Sequence, residues 1–313
     1  MKNKVCLVTG GAGAIGSNLA RALAASCEKL VILDNLSSGH AENVPQEDNV
    51  TFINDSILNN DVLDKVMPGT DVVFHLAANF ANQNSVDHPR KDLRVNGMGT
   101  LKLLQAAVRH DVERFVYSSS SCVYGNRAGV LDESCKEYNL DTPYAITKLL
   151  GERYTTLFHE FHGLKTVILR YFNTYGPGEY PGRYRNVIPN FIELAMKGRP
   201  LPITGTGDET RDFTFIADSV DGTLKAAAVG RAVGKVINFG SGKETRIIDL
   251  ANKINELAGN DAGVVFNERR NWDTVKSRRA GIGVAKDILG FNPKTGLDEG
   301  LAKTHEWLRD HLK

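Results

Sequence analysis

Paired cysteines are missing from this chain of 313 residues. Cys6, Cys27, Cys122 and Cys135 form no CxxC pair, and Cys6 lies inside an apolar run. They read as reduced thiols rather than a disulfide framework, which points to a reducing compartment. An excess of charge is missing too: 38 Lys and Arg stand against 37 Asp and Glu, a net +1, so no global field draws the chain to nucleic acid or anionic lipid. No apolar run approaches the roughly 18 residues of a membrane span. The opening MKNKVCLVTGG is basic and then apolar, but the apolar part is too short for a secretory leader. A cytoplasmic protein, without membrane or nucleic-acid partners, is the expectation. The sequence has no internal repeat and no low-complexity tract. His159-Glu160-Phe161-His162 is HExH rather than the metal-binding HExxH, and no metal site is expected.

What is present is a globular composition, 42% hydrophobic and 24% charged. Six short β-rich runs, 5–9, 29–34, 50–54, 71–75, 114–119 and 165–170, are nearly continuous in apolar residues, the pattern of strands in a parallel sheet covered on both faces. Helical patterns lie between several of them, at 14–26 and at 92–110, the latter with Leu93, Leu101, Leu104 and Val108 on one face. Strand alternating with helix predicts an α/β, doubly wound parallel sheet of Rossmann type over residues 1–172. After residue 172 the chain turns Gly-, Pro- and Tyr-rich, with helices expected at 187–197, 217–229, 245–258 and 297–312. We read 173–313 as a smaller α+β lobe that returns at least once to the main sheet.

The first strand runs into Thr9-Gly10-Gly11-Ala12-Gly13-Ala14-Ile15-Gly16 and then a helix. In that setting Gly10 permits a tight turn, Gly13 the approach of a pyrophosphate, and Gly16 close helix–strand packing, with the helix N-terminus facing the phosphates. The second strand ends in Asp34, whose carboxylate suits ribose hydroxyls and repels a 2′-phosphate, so NAD is favoured over NADP. Ser118-Ser119-Ser120-Ser121-Cys122 follows at the carboxyl end of the fifth strand. Downstream, Thr142 as N-cap and Pro143 at the first helical position start a helix that carries Tyr144 and Lys148 one turn apart on one face. A lysine beside the tyrosine, together with the positive charge of a bound nicotinamide ring, is expected to lower the phenol pKa and make it a base, with a serine hydroxyl sharing the substrate oxygen.

Together with HLAA at 75–78, RYFNTYGP at 170–177 and RDFTFIAD at 211–218, these motifs occur in family order over nearly the whole chain. The chain resembles the extended short-chain dehydrogenase/reductases, and most of all their NAD-dependent sugar-nucleotide epimerase branch, typified by UDP-galactose 4-epimerase. The resemblance implies Ser120 as catalytic hydroxyl, Tyr144 as base and Lys148 as ligand of the cofactor ribose. It implies cofactor contacts from Gly10, Gly13, Ala14, Ile15, Gly16, Asp34, Asn35, Asp55, Ser56, Leu76, Ala77, Asn96, Ser118 and Tyr171. Nucleotide-sugar contacts would fall on Ser120, Asn173, Asn186, Val187, Arg211, Arg270 and Asp273, where arginines suit a diphosphate. The implied reaction is oxidation at sugar C4, with hydride passed to NAD and returned to the opposite face. It also implies a UDP-sugar substrate and a homodimer built on 92–110 and 144–162.

Relatives that dehydrate at C4 and C6 carry Asp-Glu directly after the catalytic hydroxyl residue, where this chain has Ser121-Cys122. Relatives that decarboxylate place Glu at Cys122. Epimerisation at C3 and C5 uses a cysteine there, with a Lys or His from the loop at 178–189, which has neither. A non-catalytic NAD-sensing module would have lost Tyr144 or Lys148. A family position that governs acceptance of N-acetyl sugars falls on Ser277 or Arg278. Ser277 in the pocket would suit N-acetylhexosamines; Arg183, Arg185 or Arg278 there would suit a hexuronic acid.

Overall fold

A computed structural model describes residues 1–135 and 138–312. Among the described residues, seven parallel strands form one sheet: β1 Val5–Thr9, β2 Lys29–Asp34, β3 Val50–Asn54, β4 Val72–His75, β5 Arg114–Ser120, β6 Thr166–Tyr171 and β7 Val236–Phe239. Their order in space is β7-β6-β5-β4-β1-β2-β3. The order reverses between β1 and β4, which pair from Cys6 with Val72 to Thr9 with His75. Doubly wound sheets bind their ligands at the carboxyl end of such a reversal. The six strands expected from apolar runs are present within a residue at each end, and the sheet is of the expected class.

Alternate residues of each strand enter two different cores. Cys6, Val8, Ile32 and Phe74 face helices α1 (Ala14–Ala24) and α5 (Ile216–Ala228). Leu7, Val31, Leu33, Val73 and Phe115 face α2 (Thr100–Arg109) and α3 (Pro143–His162). Both faces are therefore sealed, which is why the strands carry no polar alternation. α3 begins as expected: Thr142 Oγ1 accepts from Ala145 N at 3.3 Å, Pro143 opens the first turn, and Gly163 closes the helix with φ +70°.

The pattern at 92–110 does not fold as one α-helix. Pro89–Asp92 is α-helical, Leu93–Gly99 is a π-helix, and α-helix resumes at Thr100. The wider π turn rotates the face, so Leu93, expected with the inward leucines, is 54% exposed while Leu104 is fully buried. Among the described residues, α4 (Val187–Met196) and four two-stranded sheets lie outside the main sheet. β7 then returns to pair with β6. Among the described residues no helix is long and apolar enough to cross a membrane.

Candidate active site

A cavity of about 340 Å³, within the size range of small-molecule sites, opens along the carboxyl ends of β1, β2, β4, β5 and β6. One end is built by the glycine loop. Gly10 adopts φ +74°, and a Cβ there would lie 2.6 Å from Ala77 N, so the loop packs against the chain leaving β4 only because this residue is glycine. A Cβ on Gly16 would lie 2.8 Å from the Gly10 carbonyl carbon. Gly13 caps α1 with extended backbone and no side-chain cap, leaving the first-turn amides of α1 for an acceptor from outside the helix. Asp34 ends β2 with one carboxylate oxygen accepting from Ala12 N at 3.0 Å and the other from Leu36 N at 2.8 Å, so it also ties down the loop. Asp55 accepts from Ser56 N at 2.6 Å, and both line the same wall with Asn35, Ala14, Ile15, Leu76 and Ala77. A loop with no room for a Cβ at Gly10 or Gly16, an open helix N-terminus and a carboxylate at the end of β2 fit a dinucleotide without a 2′-phosphate.

At the middle of the cavity β5 meets α3. Tyr144 and Lys148 are both nearly buried and both line the cavity, as do Ser118 and Ser120. Lys148 Nζ donates to the Ser118 carbonyl at 2.8 Å and stands 5.7 Å from the centre of the Tyr144 ring. Ser120 Oγ accepts from Cys122 N at 3.2 Å. The expected lowering of the phenol pKa does not hold in the chain by itself. Burial pushes Tyr144 well above its ordinary value, Cys122 and Tyr117 add to the shift, and a hydrogen bond with Ser120 opposes it only in part. Lys148 is itself pulled down to about 8 by burial, with Asp92 opposing. Desolvation of the phenolate outweighs an ammonium already engaged by a backbone carbonyl. Tyr171 lines the cavity, and its hydroxyl is engaged with Thr223 Oγ1 at 2.6 Å.

The far end holds the polar residues of the second half of the chain. Arg211 pairs with Asp273 at 3.5 Å, and burial together with the nearby Arg278 depresses the Arg211 pKa. Asn173 donates to the Asp212 carbonyl at 3.1 Å, and Asn186 caps α4. Of Ser277 and Arg278, the structure puts Arg278 in the wall; Ser277 lies outside it and accepts from Gly129 N at 2.9 Å. Arg185 also lines the cavity, whereas Arg183 reaches outward to Asp87.

Three expected contact residues stand outside the wall. Asn96 is 1% exposed and braces the site from behind, accepting from Asn79 N at 2.7 Å and donating to Asp92 at 2.8 Å. Val187 packs into the core beneath α4. Arg270 is exposed with its guanidinium 5.6 Å from the Trp272 ring centre. Residues that pattern reading missed include Glu179, Asn82 and Asp141. Glu179 is pushed up to about 7 by burial, against the pull of Arg185 and hydrogen bonds from Asn186. No spacing rule marks these positions, since Glu179 and Asp141 lie in loops and Asn82 opens the short helix Asn82–Asp87.

Fold and cavity thus define a dinucleotide-binding protein with a tyrosine–lysine site at the carboxyl end of β5. The chain belongs to the NAD dependent epimerase/dehydratase family, whose model matches residues 6–240, and NAD is the family's cofactor. It is 49% identical to an epimerase structure from Methanothermobacter thermautotrophicus, with 99% of this chain and 94% of that chain covered and a TM-score of 0.97. The UDP-glucose 4-epimerase of Thermotoga maritima, solved with UDP-glucose, is 33% identical, with 99% and 100% covered and a TM-score of 0.94. A dTDP-glucose 4,6-dehydratase from Streptomyces niveus is 34% identical over 97% of this chain and 93% of its own length.

Proposed function

We propose that the chain is an NAD-dependent nucleotide-sugar 4-epimerase acting on substrates of UDP-hexose type. The observation that carries this reading is the meeting of Ser120, Tyr144 and Lys148 at the end of β5, in one cavity with the glycine loop. NAD, when bound, supplies a hydride acceptor and donor at sugar C4 and a positive charge beside the phenol. Gly10, Gly13, Ile15, Gly16, Asp34 and Lys148 would hold it. Tyr144 takes the proton of the C4 hydroxyl and returns it, while Ser120 steadies the same oxygen. Because burial holds the phenol protonated, its basicity depends on cations drawn close, and Lys148 is the chain's own. Arg211 and Asn173 face the diphosphate end, where a guanidinium offers several donors at once.

Cys122 lines the cavity, and the two residues directly after Ser120 are Ser121 and Cys122 rather than carboxylates, which argues against elimination of water. Incubation with UDP-, dTDP-, GDP- and CDP-sugars, without added reductant, should give a C4-inverted product from at least one. A 4-keto-6-deoxy sugar or a decarboxylated pentose would overturn the reading. Tyr144→Phe should lower turnover by roughly 10²–10⁴ while the enzyme still carries NAD; near-normal turnover would remove Tyr144 as the base. We also read the exposed stripe Ile146, Leu157 and Phe161 on α3, with Leu93 and Met98 on the π-helix and its flank, as a homodimer face.

A further inference from the structure

We infer that Arg278 selects the sugar, and that the substrates of this site are nucleotide-linked sugars bearing a carboxylate. The inference rests on the 4-epimerase reading and names its substrate class. Arg278 is 6% exposed and lines the cavity. One Nη donates to the Gly125 carbonyl, the other meets only Cys122 Sγ at 3.8 Å, and Nε is buried without a partner. Among the described residues no carboxylate lies within ion-pair distance of it. Asp273 is taken by Arg211, and Asp141, the other carboxyl on this part of the wall, is shifted by burial towards its neutral form, with Arg278 only partly opposing. A buried guanidinium with no anion beside it is costly unless a ligand supplies one, and the Nη that meets only Cys122 Sγ is the group left to receive it.

The position of the side chain says which part of a ligand that is. Cys122 N donates to Ser120 Oγ, so the guanidinium stands one short loop from the hydroxyl assigned to the reacting sugar carbon. The diphosphate already has Arg211. A planar fork with free N–H groups beside the sugar matches a carboxylate oxygen pair. C4 inversion leaves that carboxylate untouched, so no further co-reactant is required.

The test compares UDP-glucuronate with UDP-glucose on the NAD-loaded enzyme, for the parent, Arg278→Gln and Arg278→Lys. The parent should turn over the uronate with the higher kcat/KM, and Arg278→Gln should lower that value roughly 10- to 100-fold, mainly through KM, the scale of a lost charge-assisted hydrogen-bond pair. Arg278→Lys, which keeps the charge and guards against a folding artefact, should recover part of the loss. A parent preference for UDP-glucose would overturn the inference. So would an equal loss for both sugars accompanied by the same loss of affinity for UDP alone, which would assign Arg278 to the diphosphate. If the parent inverts neither sugar, the epimerase reading has failed on its own. Calorimetric binding of the two nucleotides then decides Arg278 separately, since weaker binding of the uronate would sink it.

Discussion

Glu179 is a carboxyl group enclosed in the cavity wall beside Arg185 and Asn186, and burial holds it at about 7 instead of the usual 4.5. Between those values the folded chain keeps a proton that the unfolded chain has lost, so its contribution to stability falls as pH rises through the window. The full cost, about 3 kcal/mol, is reached above pH 7. Glu179→Gln keeps the acceptor for Asn186 and cannot ionise. Urea unfolding from pH 5 to pH 8 should show the variant gaining on the parent as pH rises; a difference independent of pH would show that the carboxyl is not buried and neutral. At this scale the sequence was informative wherever regular structure fixes a direction. Ser120 is the last residue of a strand, and Tyr144 and Lys148 are one helical turn apart, so their convergence was legible. Glu179 and Arg278 are placed by loops, Asn82 by a helix of only six residues, and Asn96 shares its polarity with contact residues yet points away from the cavity. The sign of the Tyr144 shift was also hidden, because neighbouring charge can be read from spacing but desolvation cannot.

The element on which the chemistry turns is α3, and its seat on β5 depends on Gly151. A Cβ at that position would come within 2.5 Å of Tyr117 Cζ, in a ring that is 1% exposed and whose hydroxyl donates to the Lys148 carbonyl at 3.3 Å. Gly151→Ala should therefore destabilise the protein by about 1–3 kcal/mol, although alanine is the better helix former by about 1 kcal/mol. It should also weaken NAD retention, because the helix that carries Tyr144 and Lys148 has to move outward. Adding Tyr117→Phe should recover part of the stability, and chemical denaturation of the two variants together with NAD content checks both statements. A stable Gly151→Ala with normal NAD content would refute the packing argument. Elements as such were mostly legible: continuous apolar runs marked the strands, and Thr142-Pro143 marked the start of α3. The π-helix at Leu93–Gly99 was not, since the same leucines suit an α-helical face until a wider turn swings Leu93 outward. Two-residue strands such as Thr210–Arg211 are too short to carry any periodicity.

For the whole molecule, the exposed apolar residues on α3 fall at positions 146, 157 and 161, spaced to form one stripe, and Phe161 is 75% exposed. Leu157→Asp should convert a dimer into monomers in sedimentation velocity at micromolar concentration; a parent protein that sediments as a monomer would dismiss the proposed face. The sheet itself ties the two halves of the chain together. β7 arrives at residue 236, more than sixty residues after β6, and pairs from Val236 with Ile168 to Phe239 with Tyr171. During synthesis at roughly 5–20 residues per second, β6 therefore leaves the ribosome some seconds before its outer neighbour exists. Through that interval the apolar run Val167-Ile168-Leu169 is an unsealed sheet edge, open to other nascent chains. The last strand to join thus sets a period of vulnerability, and expression yield at high temperature should depend on how quickly residues 172–239 follow.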